Sequence, residues 1–146
     1  MPSIFVDTDN TDFSDKLFKG TKAGALSTKA ENKMQAKVEG IIDKTAGFTR
    51  NKSDKQPKGY AIRLEVSKIE KADGKTKCTL SGSIVRYPPE VNKKGAVGEI
   101  MVSTGMQSKA IADGTSDGAV LDCIESTAED LITKSIPYMR KDFLNR

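Results

Sequence analysis

Two long runs of alternating apolar and polar residues, joined by Asp73-Gly74, constrain this chain more than any other feature. In the first run Tyr60, Ile62, Leu64 and Val66 fall on one face and Arg63 and Glu65 on the other, the period of a half-buried strand. The second arm, Thr76 to Tyr87, places Cys78, Leu80 and Ile84 on one face. An Asp-Gly pair between such runs predicts a two-residue hairpin, because both central residues of a type I′ turn need positive φ. A regular ladder across that turn sets the second arm's apolar face opposite residues that include Ile69 but exclude Ile62, Leu64 and Val66. One extra residue near Ser67-Lys68 brings Ile62, Leu64, Val66 and Ile69 onto the same face, so a β-bulge is expected there.

Helical periodicity brackets this hairpin. Thr28 followed by Glu31 is a capping-box pattern that predicts a helix start. Ala30, Met34, Val38, Ile41 and Ile42 then recur at helical spacing to about Lys44, with Gly47 just past the end. The run from Phe48 to Lys58 has no periodicity and predicts an exposed, mobile loop. Pro88-Pro89 ends the second arm, since neither proline donates to a ladder. A third strand is expected from about Val97 to Met106, with an extension to Ala112, closed by Asp113-Gly114. Thr115 or Ser116 caps a second helix whose stripe is Val120, Leu121, Ile124, Ala128, Leu131 and Ile132, and Pro137 is expected to halt or kink it near Ile136.

The expected fold is therefore α+β: a three-stranded antiparallel meander with two helices packed on one face, in the order (β)-α-β-β-β-α. The bracketed strand, Ser3 to Val6, is an optional fourth. Residues 1–27 are expected to be a weak strand and a polar, partly ordered segment, and 28–146 a single domain. A chain of 146 residues suits one core. Its longest apolar stretches, such as Ile4-Phe5-Val6, are far too short to cross a membrane as a helix. The start lacks a basic segment followed by an apolar one, so no signal peptide is expected.

Chemistry is sparse. The chain has no histidine, which removes Ser-His-Asp and Cys-His nucleophiles and histidine-containing zinc sites. Two cysteines are too few for a cysteine-only zinc site. Gly74-Lys75-Thr76 copies the end of a phosphate-binding loop, but Ile69 stands where the leading glycine belongs. The run Asp7 to Asp12 resembles the start of a calcium loop, with Asp12 in place of the bend glycine and Phe18 in place of the bidentate acid. No catalytic residue, metal ligand or cofactor is expected. A carboxylate pair brought together by the fold remains the enzyme alternative.

Two other features bear on function. Cys78 falls on the core face of its strand and Cys123 at the edge of the last helix's apolar stripe, which makes them a candidate disulfide. If bridged, they point to a periplasmic or secreted protein; if free, to a cytoplasmic one. The net charge of +4 is unevenly spread, with 19 basic and 12 acidic side chains in residues 1–96 and 5 basic and 8 acidic in 97–146. Arg50, Lys52, Lys55, Lys58, Arg63, Lys68, Lys71, Lys75 and Lys77 form a candidate basic surface for nucleic acid.

The order helix, three strands, helix resembles that of double-stranded-RNA-binding domains, which implies a surface that tracks phosphates. That family grips phosphate with lysines at the start of its second helix, where this chain has Ser116-Asp117-Gly118-Ala119 followed by Asp122 and Glu125. Its Gly-Pro-x-His hairpin pattern is replaced by Ala72-Asp73-Gly74-Lys75. With the N-terminal strand included, the layout also resembles small non-catalytic docking domains of the bacterial cell envelope. The sequence therefore favours a non-catalytic binding or structural module with a protein partner, bacterial and envelope-associated or secreted. A basic nucleic-acid-binding domain is the runner-up, and the oligomeric state is open.

Overall fold

A computed structural model of the chain describes residues 3–8, 13–14, 17, 24–52, 58–91, 94–95 and 97–146. In chain order its elements are β1 (Ile4–Asp7), β2 (Phe13–Ser14), α1 (Gly24–Lys44), β3 (Phe48–Thr49), β4 (Gly59–Ala72), β5 (Lys75–Tyr87), β6 (Glu90–Val91), β7 (Val97–Gly98), β8 (Met101–Asp113) and α2 (Asp117–Leu144).

The hairpin forms as its sequence dictates. Asp73 (φ 53°) and Gly74 (φ 71°) take the two positive-φ positions of the turn. The β4–β5 register runs Ala72↔Lys75 to Ile69↔Cys78 and, past a slip between Val66 and Lys68, Val66↔Leu80 to Gly59↔Tyr87. That slip is the expected bulge. It returns Tyr60, Ile62, Leu64, Val66, Leu80 and Ile84 to one buried face, each at most 1% exposed. β8 adds antiparallel to β5, completing the meander.

The sheet is wider than a meander. Its order is β3-β1-β4-β5-β8, with β2 also pairing β4. β1 and β2 run parallel to β4, and β3 runs parallel to β1, so the sheet is mixed. β1 lies between two neighbours and is buried at all four positions, as parallel interior strands usually are. Ile4 and Val6 face the core, while Phe5 packs its ring 5.2 Å from that of Tyr87. The optional fourth strand is thus an interior one, and Phe48-Thr49 is not loop but a short edge strand with Phe48 buried. An interior strand needs two ladder partners, and parallel ones lie far off in sequence.

Both helices cover one face. Leu26, Ala30, Met34, Val38 and Ile42 of α1 join Val120, Ile124, Ala128, Leu131, Ile132, Ile136 and Met139 of α2 and the sheet's inner residues in a single core. Each large side chain so buried contributes about 1.5–3 kcal/mol. α1 starts four residues before the Thr28 cap pattern because Leu26 extends the buried stripe by one turn. α2 is capped by Ser116, whose Oγ accepts from the Ala119 N–H at 3.2 Å. It runs unbroken through Pro137 to Leu144, against the expected halt. Pro137 and Thr133, four residues before it, are both exposed, and contacts further on hold the last two turns in place. The third strand also begins later than expected: Val97-Gly98 pairs with Glu90-Val91 in a separate ribbon, and β8 starts at Met101. Two register shifts against β5 and the positive φ of Gly105 (67°) break the alternation of β8.

Gly59 opens β4 beneath Phe5, and a Cβ there would lie 1.8 Å from the Phe5 carbonyl oxygen. Gly59→Ala is therefore expected to lower unfolding free energy by about 2 kcal/mol or more, read as a drop in denaturant midpoint at unchanged slope. A midpoint equal to the parent's would mean that β1 is not seated against β4.

Candidate functional site

The candidate disulfide joins the hairpin to the last helix. Cys78 on β5 and Cys123 on α2 are each 1% exposed, and their sulfurs lie at disulfide-bonding distance with Cα atoms 6.1 Å apart. Thr127, one turn along α2, donates its hydroxyl to the Cys123 carbonyl at 2.7 Å and lies 2.9 Å from the Cys78 sulfur. Strand and helix place these residues by separate periodicities, and the two apolar faces meet at this point.

The candidate basic surface is distributed differently. Arg50 is bidentate on Asp43, with Glu39 also 3.5 Å away, and both acids lie on α1. Lys52 lies 5.2 Å over the Tyr87 ring. Arg63 is paired with Glu99, and Lys68 with Glu70. Lys58, Lys71, Lys75 and Lys77 are exposed, but Lys58 stands before one end of β4 and the others at the hairpin end. Thirteen residues of extended chain separate Lys58 from Lys71, about 43 Å at the usual rise per residue. Lys55 lies outside the described residues, as do positions 9–12 of the calcium-loop pattern. The described members of the set thus fall at both ends of β4 and between them.

A polar cluster that sequence reasoning missed sits at the opposite end of the sheet from the hairpin. Tyr60 donates its hydroxyl to Asp142 at 2.7 Å, and Arg86 grips the same carboxylate through Nε at 3.0 Å and a terminal nitrogen at 2.9 Å. The buried Arg146 guanidinium donates to the Gly59 carbonyl at 2.8 Å, pairs with Glu90 at 3.2 Å and lies 5.5 Å over the Tyr60 ring. Burial, together with the Asp142 bond, pushes the Tyr60 phenol well above its ordinary range. Burial pushes the Asp142 carboxyl up, but the hydrogen bonds from Arg86 and Tyr60 outweigh it and hold the group below the usual carboxylate value. The one hint in the sequence was a tyrosine on the apolar face of a strand, which needs a partner for its hydroxyl. With Tyr60 fully buried and each charge already paired, the cluster is built to tie the end of α2 to β4 and β5.

Open clefts lie elsewhere. One of about 330 Å³ between the helices is lined by Lys33, Lys37, Lys44, Glu125 and Glu129, with Lys37 bridging to Glu125 at 3.3 Å and to Glu129 at 3.5 Å. Another of about 450 Å³ lies between β8 and α2, among Met106, Leu131, Pro137 and the half-exposed Tyr138. Among the described residues no group of three or more Cys, Asp or Glu side chains is placed to hold a metal ion. No described helix is long and apolar enough to cross a membrane.

The linkage of Asp142 has a definite sign. Its folded-state pKa is depressed, so its stabilising contribution is present above the unfolded-state value, about 3.9, and is lost as pH falls through the folded one. Asp142→Asn is expected to lower stability at neutral pH by about 2 kcal/mol and to flatten the decline below about pH 4, both read from urea melts across pH. A variant with the parent's acid limb would show that this carboxylate is not held by Arg86 and Tyr60.

No family model and no curated protein matches the chain. Solved structures do resemble it. Protein XCC0632 from Xanthomonas campestris, of the DUF330 family, superposes with a TM-score of 0.51 at 8% identity, covering 97% of this chain and 88% of that one. A protein of Caulobacter crescentus CB15 described as a "putative lipoprotein" gives 0.49 at 11% identity, covering 80% and 85%. The PelC dodecamer subunit from Paraburkholderia phytofirmans gives 0.33 at 12% identity, covering 89% and 86%. At such identities the likeness to the Xanthomonas protein is one of fold, and the other two superpose too loosely to carry an argument.

Proposed function

We propose that this chain is a non-catalytic module that acts through its surface on another protein, in an oxidising compartment of the bacterial envelope or outside the cell. The observation that carries the reading is the Cys78–Cys123 pair: two buried sulfurs at bonding distance, 45 residues apart, clamping the hairpin to α2. Such a bridge persists where the surroundings are oxidising. It also rigidifies the sheet and helix from which any docking surface is presented. The pairing of the charges around Tyr60 supports the same reading, because Asp142 is held by Arg86 and Tyr60, and Arg146 by Glu90 and the Gly59 carbonyl, rather than facing a cleft.

The test is the thiol state of protein isolated without reductant, read by mass after alkylation in denaturant. Two cysteines that take up label only after reduction are expected, and two that label at once would overturn the oxidising-compartment reading. In the chain-entropy description, closing this loop contributes about 4 kcal/mol. Reduction, or the Cys78→Ala/Cys123→Ala double variant, is accordingly expected to lower unfolding free energy by roughly that amount in urea. Loss of well under about 1 kcal/mol would mean that the clamp adds nothing to the fold.

A further inference from the structure

The meander ends in β8, an outer strand with no described strand beyond it. Between Met106 and Asp113 it pairs with Gly82 to Lys75 without interruption. The direction of each backbone group on that stretch follows from two bonds. The Gly114 N–H donates to the Gly74 carbonyl at 2.8 Å, so Gly74 and Gly114 face each other as a hydrogen-bonded pair. The two-residue turn makes Ala72↔Lys75 a bonded pair as well, which points the backbone of Lys75 toward β4 and away from β8. By alternation, Gln107, Lys109, Ile111 and Asp113 direct their N–H and C=O groups away from β5, to the open edge. The exposed side chains of that edge belong to the same four residues, with Ile111 61% exposed.

We propose that this edge pairs antiparallel with the same edge of a second copy of the chain, about a two-fold axis at Ile111. The argument is charge self-complementarity. With the axis there, Ile111 faces the second copy's Ile111, and each Lys109 faces an Asp113. Every facing pair then consists of residues whose backbone groups point outward, so each exchanges both N–H···O=C bonds. Among axes placed from Lys109 to Ala112, the one at Ile111 alone sets opposite charges together. At Lys109 two lysines meet, at Ala110 Lys109 faces Ile111, and at Ala112 Ile111 faces Asp113. On the helix side, Ala110 and Ala112 stand at the seam and leave room for close approach. The pairing satisfies a long strand edge that otherwise has no partner among the described strands and presents a large apolar side chain to solvent. The inference stands apart from the compartment reading, since nothing in it involves the cysteines.

The test is sedimentation of the full chain from low micromolar to millimolar concentration, where twice the mass of the 15.8 kDa chain is expected. Ile111→Pro removes an N–H that β5 does not use, so the internal ladder is kept while the dimer is lost, with far-UV circular dichroism confirming the fold. The single reversals K109D and D113K are each expected to weaken the dimer at least about tenfold, and the K109D/D113K double variant to restore it. A chain that stays monomeric throughout, or a dimer that ignores Ile111→Pro or both single reversals, overturns the proposal.

Discussion

Everything in this fold leans on the ladder between β4 and β5. The turn at Asp73-Gly74 sets its register, and the slip between Val66 and Lys68 lets both arms keep their apolar residues on one side. Without that extra residue a period-two ladder would turn one of the two apolar faces to solvent, and neither helix would have a continuous floor. The remaining pieces attach to this pair: β8 to the outer side of β5, β1 and β2 to the outer side of β4, and the helices to the face they share.

Two long-range devices then fix the last helix. At the hairpin end the Cys78–Cys123 pair stands at the helix–sheet seam. At the other end Asp142 is held by Tyr60 and Arg86, while Arg146 reaches the Gly59 carbonyl and Glu90. Between them the buried stripe from Val120 to Met139 fills the space over the sheet. The same anchoring explains how the helix passes Pro137. One lost backbone bond, with the proline and the residue behind it in water, is outweighed by packing and charge pairing on its far side.

The charges around Tyr60 are spent on one another and on the backbone. The face of the sheet away from the helices carries ion pairs, Arg63–Glu99 tying β4 to the segment before β8 and Lys68–Glu70 lying within β4. Exposed large apolar side chains include Met101 and Ile111, toward opposite ends of β8, and Tyr138 and Leu144 on α2. Around Ile111 a strand edge with no described neighbour coincides with exposed apolar area, which is what a protein partner can use.

Local structure was legible in the residues: the type I′ turn, the bulge, the Ser116 cap, the two amphipathic helices and the core faces of the hairpin. Each of these depends on residues close together in the chain, where φ preference and periodicity act directly. What lies far apart was settled by tertiary structure alone. β1 enters the sheet between β3 and β4 because a short apolar strand finds ladder partners on both sides there, and four residues of sequence carry no record of which partners those are. Tyr60 meets Asp142 across 82 residues, Pro137 sits inside a helix that packing holds together, and the basic side chains that cluster in sequence are parted by the length of β4. In each case the deciding energy is a contact between distant segments, which only the folded chain brings together.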